Sequence, residues 1–336
     1  MRGAAGGNRL YVLDGLRGIA ALLVVVFHYT TMFPVFYPDA LMPAFTFPIG
    51  QFGVHLFFMI SGFVILMTLE KRGASAGFLK ARFFRLYPIF WVCILITATI
   101  MVVAPPPGHH QTLQQILVNF TMVEEYVKIK PVDGVYWSLT YELGFYFFMF
   151  WVFRLKLEKW LDWITGFWIL GTVFFALLEP YIPHPLHYLL VFNNYGSLFA
   201  AGLLLYRIYS KVASPARTGL LVAAILAQFM PTWGEAIQES LMQLISVAAL
   251  AGIFSLALFT KALNYLGGSL FVFLGRISYP LYLIHQMVGY ALINAMQQSG
   301  IGWWASVSLA FVVAIGIASA LTLMIDEPVR RRISKA

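Results

Sequence analysis

The sequence predicts an all-α, polytopic membrane protein with about ten transmembrane helices. Three observations carry that reading. Of the 336 residues, 60% are hydrophobic and only 11% are charged, and mean hydropathy is +0.80; a water-soluble chain needs more polar surface than this. Apolar runs close to the ~20 residues needed to cross a bilayer recur along the whole chain. The basic residues, finally, divide between the loops in a strongly one-sided way.

The expected spans are 14–33, 51–69, 84–104, 136–153, 160–178, 187–206, 217–232, 241–260, 274–297 and 303–325, the seventh being the shortest. Turn and helix-stop residues punctuate them: Pro34 and Pro38, Gly73 and Gly77, Pro105-Pro106-Pro107, Pro180 and Pro183, Pro215, Pro231 and Gly300. No small-x-small cleavage site follows the first run, so it reads as a retained span, not a signal peptide. With the N-terminus inside and strict alternation, 20 of the 22 Lys and Arg residues fall on the inner side, and only Lys128 and Lys130 fall outside. The outer side receives Asp39, Glu124, Glu125, Asp133, Glu179, Glu235 and Glu239. The net charge of +8 is therefore a topology signal, and no nucleic-acid partner is expected. Both termini are expected in the cytoplasm, with the chain in the cell (inner) membrane. The loop 105–135 is the longest outer one, and Thr112–Val123 is expected to form a short amphipathic helix at the interface. The single cysteine, Cys93, excludes an intramolecular disulfide and a cysteine-based metal site. One membrane-embedded domain over 1–336, without an appended soluble domain, and no metal site are expected. Oligomeric state is not legible.

Polar residues inside apolar spans are costly and mark candidate sites. In the first span Asp14-Gly15-Leu16-Arg17-Gly18 precedes an aliphatic run and then His28. Eleven residues make nearly a whole number of turns, so Arg17 and His28 share a face, ~16 Å apart along the axis. In the fourth, Ser138 and Glu142 share a face, with Tyr136 and Trp137 placed for an outer aromatic belt. Depth arithmetic makes a Glu142–His28 contact possible, and a carboxylate orienting an imidazole is a device for a general base. In the ninth, Ser278, Tyr282 and His285 form one polar stripe, while Arg276 faces the opposite way; Pro280 is expected to kink this helix. The inner segment Phe78–Pro88 interleaves Arg82 and Arg85 with aromatic residues, which suits phosphate and a planar base. Ser61-Gly62 permits a close helix approach.

Together these stretches resemble the acyltransferase 3 family of membrane acyltransferases, which includes bacterial O-antigen acetylases. The matching residues are Leu13-Asp14-Gly15-Leu16-Arg17-Gly18 with His28, Phe57–Val64, Arg82-x-x-Arg85 with Leu86-Tyr87-Pro88, Trp137-Ser138-Leu139 with Glu142, Gly275–His285, and Glu327-Pro328. The resemblance implies transfer of an acyl group, acetyl above all, from cytoplasmic acyl-CoA to a hydroxyl of a carbohydrate or glycolipid at the outer side. On that reading Arg17, Arg82 and Arg85 meet the CoA phosphates. His28 acts as general base, or alternatively carries the acyl group, and Glu142 orients it. Trp137, Ser138, Ser278, Tyr282 and His285 line the acceptor or acyl pocket. A multi-pass transporter is the rival reading, since it too places ionisable residues at mid-membrane.

Overall fold

The computed structural model describes residues 10–178, 195–210, 212–229 and 237–335. Several expectations lie outside them: the start of the sixth span, the breaks at Pro180, Pro183 and Pro231, and the charges at Arg2, Arg9, Glu179, Lys211 and Glu235.

The described chain is helical throughout, with no strand. In order it forms α1 (Tyr11–Phe27), a π-helical turn (His28–Met32) and α2 (Phe33–Phe36). Next come α3 (Gly53–Arg72), α4 (Ala76–Val103), α5 (Leu113–Asn119) and α6 (Trp137–Arg154). Then follow α7 (Leu161–Leu178), α8 (Gly196–Tyr209), α9 (Pro215–Leu226) and α10 (Ile237–Phe259). The chain closes with α11 (Ser269–Gln298), α12 (Trp303–Leu321), a second π turn (Thr322–Asp326) and α13 (Glu327–Lys335).

Among the described residues, six stretches are long and apolar enough to cross a membrane: Tyr11–Phe36, Pro48–Arg72, Ala76–Val103, Glu158–Leu177, Ile237–Phe259 and Trp303–Arg332. Two further helices, Gly196–Tyr209 and Pro215–Phe229, are apolar but shorter, so the seventh expected span is the short one. α6 and α11 are not among the six. They are the helices that carry Ser138 and Glu142, and Ser278, Tyr282 and His285, and these polar residues dilute their hydropathy. Lipid-facing character is clear on the outside of the bundle, where Val102, Trp163, Phe167, Leu170 and Met324 are exposed.

α1 is the hub. It packs along α11 on one side and against α3 on the other, and α3 in turn packs along α8. Both crossings use glycine because backbone meets backbone. A Cβ on Gly275 would lie 2.0 Å from the Asp14 carbonyl oxygen, and one on Gly202 would lie 2.0 Å from that of Met59. A Cβ on Gly62 would likewise lie 2.3 Å from the Phe199 oxygen, so the close approach expected at Ser61-Gly62 is present. Gly202→Val should therefore destabilise the bundle by about 3 kcal/mol. Thermal unfolding in detergent checks this; an unchanged transition would contradict the crossing.

Two expectations need correction. Tyr136 does not sit in an aromatic belt. It is fully buried, 3.3 Å from the Thr97 hydroxyl and edge-on to Phe90. The interfacial helix is only Leu113–Asn119, capped by Thr112, whose hydroxyl accepts from Gln115 N. The chain after it runs down the side of α4: the Phe120 and Thr121 carbonyls accept from Trp91 Nε1 and the Tyr87 hydroxyl, and the Met122 carbonyl accepts from the Thr140 hydroxyl of α6. Re-entrant backbone of this kind is tolerated in a membrane where protein groups satisfy it. α11 stays helical through Pro280.

Candidate active site

The first helix ends where its chemistry begins. His28 opens the π turn, in which Phe33 N reaches back to the His28 carbonyl, and such turns recur at functional sites. His28 is half-buried, and its ring meets that of the fully buried His285 edge-on, with centroids 4.8 Å apart.

The hydrogen bonds fix which nitrogens carry protons. His285 Nδ1 lies 2.9 Å from the Tyr282 carbonyl and 3.1 Å from that of Leu281. Carbonyl oxygens only accept, so His285 Nδ1 is the donor and its Nε2 bears a lone pair in the neutral ring. That Nε2 is 3.1 Å from His28 Nδ1, which also lies 2.8 Å from the Val24 carbonyl. With acceptors on both sides, His28 Nδ1 carries the hydrogen. His28 Nε2 is then left with a free lone pair. The Tyr29 hydroxyl donates to the His285 carbonyl at 3.0 Å and ties the two helices at this level.

Glu142 is elsewhere. It accepts from the Ser61 hydroxyl at 2.8 Å and from the Tyr146 hydroxyl. It lines a small polar cavity of about 30 Å³ with Arg17, Ser61, Ser138, Ser278, Tyr279 and Tyr282. The expected Glu142–His28 contact is thus absent, and the cause is the burial of Tyr136. Thr97, its partner, lies six residues inside the end of α4, ~9 Å down, so α6 starts well below the membrane edge assumed for it. Glu142 sits correspondingly deeper, level with Arg17. The group that buttresses His28 is His285.

Arg17, Arg82 and Arg85 all lie within electrostatic reach of Glu142 and Tyr146. Asp14 also acts on Arg17 and Asp326 on Arg85, and Arg17 Nε, Arg82 Nε and Arg82 Nη1 are buried without hydrogen-bond partners. The Arg82 guanidinium lies over the Phe78 and Tyr146 rings, 5.5 and 5.7 Å from their centroids. It also lines a groove of about 700 Å³ with Arg72, Lys80 and Arg332. These three basic residues escaped notice in the sequence because they were indistinguishable from ordinary topology charges; Arg72 and Lys80 stand near Arg82 in the chain, and Arg332 carries no such signal.

Between the arginines and the histidines, Ser138 and Tyr282 bridge α6 and α11, with hydroxyls 2.7 Å apart and the Tyr282 hydroxyl donating to the Val135 carbonyl at 2.9 Å. Ser278 is buried and donates to the Gly275 carbonyl. Trp137 packs in a ring cluster with Phe58, Tyr141 and Tyr195, and does not line the polar cavity. Arg276 is exposed, as its spacing from His285 requires.

A free imidazole nitrogen buttressed by a second imidazole, above the partly unpartnered guanidinium groups of Arg17 and Arg82, suits proton transfer next to an anionic co-substrate. The acyltransferase domain family matches residues 10–323, and so spans all of these groups except Asp326 and Arg332. The chain belongs to the acyltransferase 3 family. It is 26% identical over 285 residues to the provisionally named acetyltransferase ORF330 of Acidianus two-tailed virus, covering 81% of each chain. It is 25% identical over 300 residues to the exopolysaccharide production protein ExoZ of Rhizobium meliloti, covering 85% of this chain and 91% of ExoZ. A shorter likeness, 31% over 149 residues, covers 41% of this chain and 38% of the acyltransferase MdmB of Streptomyces mycarofaciens. No solved structure matches. Membership in the acyltransferase 3 family selects a membrane acyltransferase over the transporter reading.

Proposed function

We propose that this acyltransferase moves an acyl group, acetyl above all, from acyl-CoA in the cytoplasm to a hydroxyl of a carbohydrate or glycolipid outside the cell membrane. The observation that carries the proposal is the bare His28 Nε2, set in mid-span between a basic side and a far side. The arginine-rich side is taken as cytoplasmic on the positive-inside rule. The groove with Arg72, Lys80, Arg82 and Arg332 receives the phosphates of CoA, and Arg17 and Arg85 continue the positive path inward. In the conformation described the cavity above them accommodates about one water, so the rings of Phe57, Tyr279 and Tyr282 part to admit the pantetheine arm.

The chemistry follows. His28 Nε2 removes the proton from the acceptor hydroxyl as its oxygen attacks the thioester carbonyl. The new C–O bond forms, the C–S bond breaks, and the imidazolium returns the proton to the departing thiolate to give free CoA. While His28 is charged, its Nδ1–H is held by the lone pair on His285 Nε2. Ser138, Ser278 and Tyr282 supply hydroxyls next to the path of the thioester, and Trp137 shapes the pocket from behind its ring cluster. Among the relatives, ExoZ is named for exopolysaccharide production, which supports a glycan acceptor here.

Labelled acetyl-CoA binding to the purified protein tests the donor side. Arg85→Ala should raise the donor Kd by about tenfold, in line with loss of one charge-assisted phosphate contact, with little change in kcat; unchanged donor affinity would count against this role. Mass spectrometry of surface glycans with and without the gene tests the acceptor side, and an identical acylation pattern would contradict it.

A further inference from the structure

The histidine pair lies at the deep end of a line of polar groups that the chemistry above does not use. α11 continues past His285 through Gln286, Tyr290, Asn294 and Gln297. Steps of four, four and three place these residues on one helix face. Gln286 Oε1 and Gln297 Nε2 are buried without a hydrogen-bond partner, and the Tyr290 hydroxyl has only the Gln286 side chain beside it. Buried polar atoms are nearly always paired, so unpaired ones on one face point to a missing ligand or water.

The line opens into a cavity. About 430 Å³ lies at its far-side end, lined by Tyr37, Asp39, Pro105, Asn294, Gln297 and Gln298 among others. Gln297 is held there by its oxygen, which accepts from Leu41 N at 2.9 Å; this aims its amide nitrogen away from the loop. Rings continue the wall inward: Phe36 and Phe33 lie 5.1 and 5.6 Å from Tyr290, and Tyr290 lies 6.5 Å from His28. Gln286 fits beside Gly134, where a Cβ would come within 2.9 Å of its oxygen.

The chemistry of this lining is selective. Amides, hydroxyls, one carboxylate and flat apolar rings suit the hydroxyl pattern and apolar faces of a sugar. No Lys or Arg lines the cavity, and Asp39 disfavours an anion. From Gln297 to His285 is twelve residues, or ~18 Å along the axis, which is longer than one sugar ring.

We propose that this face of α11 is the acceptor track. It binds a neutral glycan of more than one ring, with one end at Asp39 and Gln297 and the other passing Tyr290 and Gln286 to present a hydroxyl to His28 Nε2. The proposal rests on the acyltransferase reading and specifies its acceptor.

The test places Gln286→Cys, Asn294→Cys and Gln297→Cys singly in a full-length Cys93→Ser background. Intact cells are treated with a membrane-impermeant maleimide, with and without neutral gluco-, galacto- and manno-oligosaccharides of one to four rings. All three positions should label from outside. Oligosaccharides of two or more rings should protect them at least threefold, with monosaccharides much weaker and uronic-acid oligomers inert. Failure of Gln286→Cys to label while Asn294→Cys labels would overturn the track. Labelling that none of the sugars slows would reduce it to a water path, and would equally overturn it. Acetyl-CoA binding to the same membranes keeps the two readings apart: loss of donor binding sinks the enzyme reading, whereas intact donor binding without sugar protection sinks this one. As an independent readout, Gln297→Leu and Asn294→Leu should each raise the acceptor KM about tenfold without changing donor affinity.

Discussion

His28→Ala should lower acyl transfer by about 10³-fold or more, while the protein still inserts, folds and binds acyl-CoA. The expectation follows from the tautomer. His28 Nδ1 is committed to the Val24 carbonyl and to His285, so Nε2 is the one nitrogen of the pair that is free to take a proton from an acceptor. His285 acts through His28, and its substitutions should grade. His285→Ala should cost about 10²-fold in kcat with KM for the donor unchanged. His285→Gln should recover part of that loss, because an amide oxygen can still accept from His28 Nδ1. If Gln recovers nothing while the fold is intact, the buttressing role is wrong. Retained transfer by His28→Ala would remove the mechanism altogether. A general base also leaves no covalent trace, so no acyl-histidine should accumulate when labelled acetyl-CoA is supplied without acceptor.

The second large effect is expected at Glu142, and it concerns stability before activity. Its carboxylate accepts from Ser61 and Tyr146 and faces Arg17, Arg82 and Arg85. Glu142→Ala removes a negative charge from a cluster of three guanidinium groups, two of which, Arg17 and Arg82, carry unpartnered nitrogens. Breaking a buried charge arrangement by deleting one partner costs about 3–5 kcal/mol. The variant should therefore be recovered in low yield and unfold at lower temperature. Saturating acyl-CoA should partly restore it, because the donor's phosphates bring negative charge to the same arginines and ligand binding stabilises the folded state. A Glu142→Ala protein as stable as the parent would show that the carboxylate does not hold the cluster. Destabilisation that acyl-CoA does not relieve would count against the arginines as the donor site.

Much of this was legible in the sequence, and the reasons differ by residue. Arg17 and His28 could be paired because a helix turns at a fixed rate, and both indeed face inward from one helix. Ser278, Tyr282 and His285 were found as a stripe by the same periodicity, and their position opposite Arg276 is borne out. Helix pairing across Gly62 was legible because only a residue without Cβ allows that approach. The partner of His28 was not. Helix arithmetic gives depth along one helix, but the relative depth of two helices depends on where each enters the membrane. Tyr136 looked like a belt residue and is a buried one, which sank the whole of α6 and moved Glu142 from the histidine to the arginines. The basic groove with Arg72, Lys80 and Arg332 was hidden for a different reason: a loop arginine that binds phosphate and one that obeys the charge rule read alike. The line from Gln286 to Gln297 stayed unread because glutamines and an asparagine near the end of a span look like ordinary interfacial residues until their unpaired atoms are seen.

The central claim is the bare His28 Nε2, held so by its neighbour. Nitrogen-15 NMR of histidine-labelled protein in lipid bilayers tests it most directly, at about pH 8 where an unperturbed imidazole is neutral. Signals are assigned with His28→Ala and His285→Ala. Both rings should show a protonated Nδ1 and an unprotonated Nε2, with a coupling from His28 Nδ1–H across to His285 Nε2. A proton on His28 Nε2 in the resting protein would contradict the account.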